Sequence, residues 1–203
     1  MASEIDDRAS ETSDAQRDSG GAPTGGAPSA LSLLVRALKF AAGKHVAQRR
    51  KDAEQSPYIN HPIGLVHVLV EIGGVDDPVV LAAALLHDTV EDTQTTRAEL
   101  ELGFGPEVAA IVSEVTDDKS LPKKERKRLQ VEHASAISPR ARLVKLADKI
   151  CNLRDVLDRP PADWALERKQ EYFDWSRSVV DRLRGTNARL ESEFDALYRL
   201  RPG

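Results

Sequence analysis

Histidine and carboxylate side chains recur in this sequence in pairs and at one-turn spacings that suit metal-assisted hydrolysis. His87 and Asp88 are adjacent, and Glu91 and Asp92 follow four residues after them. Each helical residue turns by roughly 100°, so His87 would lie beside Glu91 and Asp88 beside Asp92. Asp148 and Asn152 repeat that spacing within Lys145–Leu146–Ala147–Asp148–Lys149–Ile150–Cys151–Asn152, and His61 stands at a helix start in Tyr58–Ile59–Asn60–His61–Pro62. Together His61, His87, Asp88 and Asp148 make a mixed nitrogen and oxygen donor set. Such a set suits Mn²⁺, Fe²⁺, Co²⁺ or Zn²⁺ more than Ca²⁺ or Mg²⁺, which prefer all-oxygen shells. An ion of that kind acidifies a bound water and polarises a phosphoryl oxygen. A single histidine is more often a hydrogen-bonded core residue, and a His–Asp pair recurs by chance. The ordered set, with a carboxylate pair one turn on, is what carries the reading.

These groups must be held by helices. The run Val79–Leu86 is apolar on every side, the mark of a helix buried all round, and it leads straight into His87, Asp88, Glu91 and Asp92. Charge next to so buried an element needs a metal, a partner or a solvated cleft, and such conflicts between pattern and polarity mark functional sites. Proline opens several helical patterns (Pro62, Pro78, Pro106, Pro122, Pro139 and Pro161), where its missing N–H costs little. Asp77 and Ser138 are suited to cap two of them, Thr96 with Glu99 fits a capping box, and Gly73, Gly103 and Gly185 sit where helices would end. The spacing predicts helices over 31–49, 62–72, 78–92, 96–102, 106–116, 123–136, 139–157, 162–184 and 187–200. No alternating strand pattern and no internal repeat is found. The fold class expected is all-α, a compact irregular helical bundle.

Composition narrows the function further. Residues 1–30 hold Gly20, Gly21, Gly25, Gly26, Pro23 and Pro28 with almost no large apolar side chain, so they are read as a disordered tail. Residues 31–203 form the single domain. The tail lacks the apolar stretch of a secretory signal and is too acidic for a transit peptide. No apolar run reaches membrane-spanning length. The net charge of −4 disfavours non-specific binding to nucleic acid. A lone cysteine, Cys151, excludes an intrachain disulfide and a multi-cysteine zinc site, and fits a reducing, cytoplasmic setting. Oligomeric state is left open.

The order His61, His87–Asp88, Asp148 resembles that of the HD superfamily of metal-dependent phosphohydrolases. Longer strings are more specific: Arg49–Arg50–Lys51, Pro57–Tyr58–Ile59–Asn60–His61–Pro62, His87–Asp88–Thr89–Val90–Glu91–Asp92–Thr93, and Lys145–Leu146–Ala147–Asp148–Lys149 through Asn152–Leu153–Arg154. They are similar to the hydrolase domain of the RelA/SpoT family, over residues 31 to 200. The chain leaves no room for a synthetase or regulatory domains. Val115–Thr116–Asp117–Asp118–Lys119 and Glu171–Tyr172–Phe173 resemble the stand-alone members, the small alarmone hydrolases.

The resemblance implies an HD-type bundle that hydrolyses the 3′-pyrophosphate of ppGpp or pppGpp to GDP or GTP plus pyrophosphate, usually with Mn²⁺. It makes His61, His87, Asp88 and Asp148 the metal ligands, and Glu91 and Asp92 the pair that places and activates water. A carboxylate one turn from a ligand is well placed for that work; otherwise the pair only solvates a helix end. Arg50 and Lys51 match positions that hold the guanine nucleotide, and Asn152 a position near the nucleoside, the plainer alternatives being a solvated loop and a surface asparagine. From the basic run Lys119–Arg128, Lys123 is the contact selected for a tetraphosphate-bearing ligand, and Tyr172 is a further contact. His45, His67 and His133 receive no role, and Trp164 and Trp175 are read as packing. Two alternatives stay open: a phosphatase or pyrophosphohydrolase for another nucleotide, such as the 2′-phosphate of NADPH, and a non-catalytic nucleotide sensor.

Overall fold

The structure, a computed structural model, describes residues 29–203. Its ten α-helices are α1 (Ala30–Lys44), α2 (Asn60–His67), α3 (Pro78–Leu86), α4 (Thr89–Asp92), α5 (Arg97–Phe104), α6 (Pro106–Val115), α7 (Lys123–His133), α8 (Pro139–Asp158), α9 (Leu166–Val180) and α10 (Ala188–Tyr198). A π-helical turn, Val68–Ile72, extends α2. Among the described residues the only β-type pairing is an isolated antiparallel bridge between Arg49 and Pro57. The tail expected over residues 1–30 lies outside the described residues as far as position 28. Its last two residues belong to the bundle instead. Ser29 caps α1, its Oγ accepting from the Ser32 N–H at 3.2 Å, and Ala30 begins the helix.

Two helices make the frame. Every residue of α3 from Val80 to Leu86 is buried, and the helix packs against α1, α2, α6 and α8. It starts where it does because Asp77 Oδ1 accepts the Val79 N–H at 2.9 Å and Pro78 needs no partner for its nitrogen. The 20-residue α8 begins in the same way, with Ser138 Oγ accepting the Ala141 N–H at 3.2 Å. It buries Leu146, Ile150 and Leu153 against α2, α3 and α6, while α9 and α10 close over it with Phe173 and Phe194. Burying one such side chain is worth about 1.5–3 kcal/mol, against at most about 1 kcal/mol for an exposed ion pair. The apolar faces of α3 and α8 therefore set the geometry that the site inherits. No helix among the described residues is long and apolar enough to cross a membrane.

The departures from the expected helices have local causes. The helix expected over 78–92 breaks after Leu86. The Thr89 hydroxyl donates to Leu86 O at 2.7 Å and His87 Nδ1 donates to Ala84 O at 2.9 Å, so side chains take carbonyls that a continuous helix would use. The helix expected over 31–49 stops at Lys44. His45 Nδ1 bonds to Gln48 Oε1 at 2.7 Å and closes a turn, after which Arg49 pairs with Pro57. Helix α9 starts at Leu166 rather than 162, because the Ala162 N–H reaches across to Lys51 O at 3.4 Å. Gly103 lies inside α5, and the helix ends instead at Gly105, whose φ of 90° suits glycine. At Gly73 the π turn passes so close to itself that a Cβ would lie 2.7 Å from Leu69 O, which admits no larger residue.

Candidate active site

The break after Leu86 turns His87 and Asp88 out of the most buried helix into a cleft of about 530 Å³. All eleven side chains selected from the sequence line that cleft: His61, His87, Asp88, Asp148, Glu91, Asp92, Arg50, Lys51, Lys123, Asn152 and Tyr172. Helix α2 brings His61, the end of α3 brings His87 and Asp88, α4 brings Glu91 and Asp92, and α8 brings Asp148 and Asn152.

The floor is a group of metal-ligand type. Donor atoms of His61, His87 and Asp88 lie within 4.8 Å of one another, and the two imidazole rings are 5.3 Å apart. His87 Nε2 stands 2.9 Å from Asp88 Oδ2. His61 Nε2 stands 3.3 Å from Asp148 Oδ1 and 4.0 Å from Asp88 Oδ2. Asp148 thus joins the group through His61. The Nδ1 of His87 bonds to a carbonyl oxygen, which can only accept, so Nδ1 carries a proton and Nε2 is the nitrogen turned toward the floor carboxylate. That buried Nε2 makes no hydrogen bond of acceptable geometry. Burial pushes the His87 imidazole down, but Asp88 outweighs it and raises the group to about 9. Asp88 and Asp148 are held well below the usual carboxylate range against the penalty of burial, by His87 and by Lys149 respectively. Two imidazole nitrogens and two ionised carboxylates from three segments fit a divalent cation of borderline softness, which on binding would take the place of the His87 Nε2 proton.

Beside this floor the two acidic neighbours differ. Glu91 Oε2 accepts the Asp117 N–H at 3.0 Å, while Oε1 has only looser contacts, to Lys119 at 3.6 Å and Arg126 at 3.8 Å. Burial pushes the Glu91 carboxyl above its ordinary value, opposed by the Asp117 N–H. Asp92 is occupied on both sides: Gln48 Nε2 donates to Oδ2 at 2.9 Å and Lys119 Nζ donates to Oδ1.

The wall is basic. Arg50 donates to Asp155 and, at 3.4 Å, to Asn152 Oδ1, with its guanidinium 5.5 Å over the Tyr58 ring. Asn152 Nδ2 donates to Asp148 Oδ1 at 2.5 Å, so this asparagine ties the arginine to a floor carboxylate. Burial, then Arg168, Lys51 and Arg126, push the Lys123 ammonium down, the mark of cations crowded without enough counter-charge. Tyr172 lies between Trp164 and Trp175, at centroid distances of 5.2 and 5.3 Å, and Lys127 and Lys149 sit over the Trp175 ring. Both tryptophans, expected to serve in packing, also line the cleft.

Several contributors were not selected from the sequence. Tyr58 OH donates to Asp88 Oδ2, and the buried Lys149 donates to Asp148 Oδ2 at 3.0 Å. Each lies within a string that drew attention to its neighbours, which was the available signal. Lys119 likewise stands in the string Val115–Lys119 and opens the basic run, while Gln48 and Asp155 gave no signal, because a loop glutamine and one acid on a helix have no distinctive spacing. His45 does have a part: buried, it holds Gln48, which in turn holds Asp92.

The HD domain family matches residues 37–173. The guanosine-3′,5′-bis(diphosphate) 3′-pyrophosphohydrolase MESH1 of Xenopus tropicalis is 58% identical over 167 residues, covering 82% of this chain and 93% of that protein. The protein of the same name from Homo sapiens is 57% identical over 173 residues, covering 85% and 97%. The solved structure of a metazoan ortholog of SpoT, reported to hydrolyse ppGpp and to play a role in starvation responses, superposes with a TM-score of 0.82. It is 50% identical and covers 84% of this chain and 96% of its own.

Proposed function

The chain belongs to the HD domain family, and from that premise we propose that it is a guanosine-3′,5′-bis(diphosphate) 3′-pyrophosphohydrolase. Water attacks the phosphorus bonded to O3′ of ppGpp or pppGpp, the O3′–P bond breaks, and GDP or GTP leaves with pyrophosphate as the second product. The observation that carries this reading is one cleft in which a floor of metal-ligand type adjoins a free carboxylate base under a wall of cations. The relatives named for this reaction cover nearly their whole length in the match.

His61, His87, Asp88 and Asp148 would hold one divalent ion, which we take to be Mn²⁺ and which supplies Lewis acidity toward phosphoryl oxygen and a more acidic water. Glu91 is the base. Its Oε1 is free of strong partners, and burial has raised its proton affinity, so it can accept the proton that the attacking water loses. Asp92, already bonded on both oxygens, orients the short helix α4 and keeps Lys119 over the site. Lys123, Lys51 and Arg50 meet the phosphates and the nucleoside, and Tyr172 offers an aromatic face. The tripled contact of Asp148, with His61, Lys149 and Asn152, fixes its rotamer. We place the enzyme in the cytoplasm, where such nucleotides occur.

The test is hydrolysis of ppGpp by the purified protein with Mn²⁺ and with chelator, products resolved by chromatography. GDP and pyrophosphate are expected with metal and neither after chelation. No turnover by folded, Mn²⁺-loaded protein would overturn the assignment.

A further inference from the structure

His61 Nδ1 is buried and has no hydrogen-bond partner, an expensive state for an imidazole N–H. Its other nitrogen, Nε2, faces the floor carboxylates, so the unpartnered Nδ1 points the opposite way. Beside it, on the Cys151 side, lies a second, smaller cavity of about 180 Å³, which shares Arg50, Asp52, His61, Asp155 and Arg159 with the main cleft. His61, Asp155, Asn60, Arg154 and Asp158 surround it. The carboxylate oxygen that faces Nδ1 there is Asp155 Oδ2, at 4.0 Å. That is too long for a direct hydrogen bond and is the separation at which a bridging water serves, in a cavity with polar walls and room for it. The same oxygen, Oδ2, accepts from Arg50.

We infer that Asp155 is a positioning residue of the metal centre: it accepts the His61 Nδ1 proton through one water and thereby fixes the tautomer and the angle at which Nε2 meets the ion. A histidine that ligates a metal regularly donates its second N–H to a carboxylate, a carbonyl or water, which raises its basicity as a ligand. Here the carboxylate is shared with Arg50, an arginine of the substrate wall, so the grip on the nucleotide and the grip on the metal meet at one side chain. The inference rests on the metal site proposed above.

The experiment is a calorimetric titration of Mn²⁺ into the chelator-treated full chain, free of nucleotide, for the wild type, Asp155→Ala and Asp155→Asn. Asp155→Ala is expected to bind Mn²⁺ roughly 10–100-fold more weakly, the usual effect of losing such an outer partner. Asp155→Asn, which retains an acceptor oxygen, should recover most of the affinity. Far-ultraviolet circular dichroism of the metal-free variants checks that the helices persist, and Asp155→Asn keeps the test decisive should the alanine variant unfold. If the wild type binds Mn²⁺ and Asp155→Ala binds it equally well, the role of Asp155 is refuted while the metal site stands. Asn behaving like Ala would also refute it, since an acceptor is what the geometry requires. A wild type that does not bind Mn²⁺ would instead refute the metal site itself.

Discussion

Glu91 and Asp92 are chemically alike and sit side by side, yet their surroundings give them different work. Asp92 has a donor on each oxygen, Gln48 on one and Lys119 on the other, so neither oxygen is left to meet a water. Glu91 keeps one oxygen loosely held, and burial destabilises its charged form, which favours taking up a proton. Glu91→Gln should preserve the hydrogen bond from the Asp117 N–H and remove the base. We expect kcat for ppGpp to fall roughly 10²–10⁴-fold, the usual contribution of a general base, with Mn²⁺ affinity little changed. Asp92→Asn keeps acceptor and shape and should lose less. Steady-state kinetics beside a Mn²⁺ titration checks both, and equal losses in the two variants would sink the division of labour.

At the scale of elements, the site depends on where helices begin and stop. The start of α8 sets the phase of Asp148 and Asn152 in the cleft, and it rests on Ser138. Ser138→Ala should cost about 1 kcal/mol of stability in urea unfolding, with kcat unaffected once the protein is folded. A cost indistinguishable from zero would mean that Pro139 and packing alone position the helix. The caps at Asp77, Thr96 and Ser138 were legible in the sequence because an N-cap is a local bargain between one side chain and one N–H. The all-helical class was legible for a similar reason, since prolines and apolar spacing recur along the chain. The break between α3 and α4 was not. It depends on His87 and Thr89 bonding back to carbonyls, which competes with a helix of equal local merit, and only the need to bring His87 to His61 decides it. The ends of α1 and α9 were missed because the 45–59 loop and residues 161–165 hold each other across the cleft, through the contact of Ala162 with Lys51. The proposed ligand residues could be selected from their spacing and resemblance. The partners Gln48 and Asp155 could not, because they matter only through distances that folding creates.

For the molecule as a whole, charge is distributed unevenly. The net charge of −4 is that of residues 1–28, and residues 29–203 balance to zero, yet ten lysine and arginine side chains line the main cleft against seven aspartates and glutamates. An anion approaching the described domain meets a surface that is neutral on average and one opening with an excess of positive charge. Helix α7 sharpens this contrast. It buries none of its residues, presents Lys123, Arg126 and Lys127 to the cleft, and is docked on α9 with the Trp175 indole donating to Lys127 O at 3.0 Å. A low-dielectric cleft of one dominant sign focuses the field and speeds the capture of a charged ligand. Screening shortens the reach of that field to about 10 Å at 0.1 M salt and 3 Å at 1 M. We therefore expect kcat/KM for ppGpp to fall steeply between these ionic strengths, while kcat, which concerns substrate already bound, changes little. Lys123→Ala should flatten that dependence by removing one of the cations that make it. A salt-independent kcat/KM would mean that contact alone, and not the field of the cleft, selects the substrate.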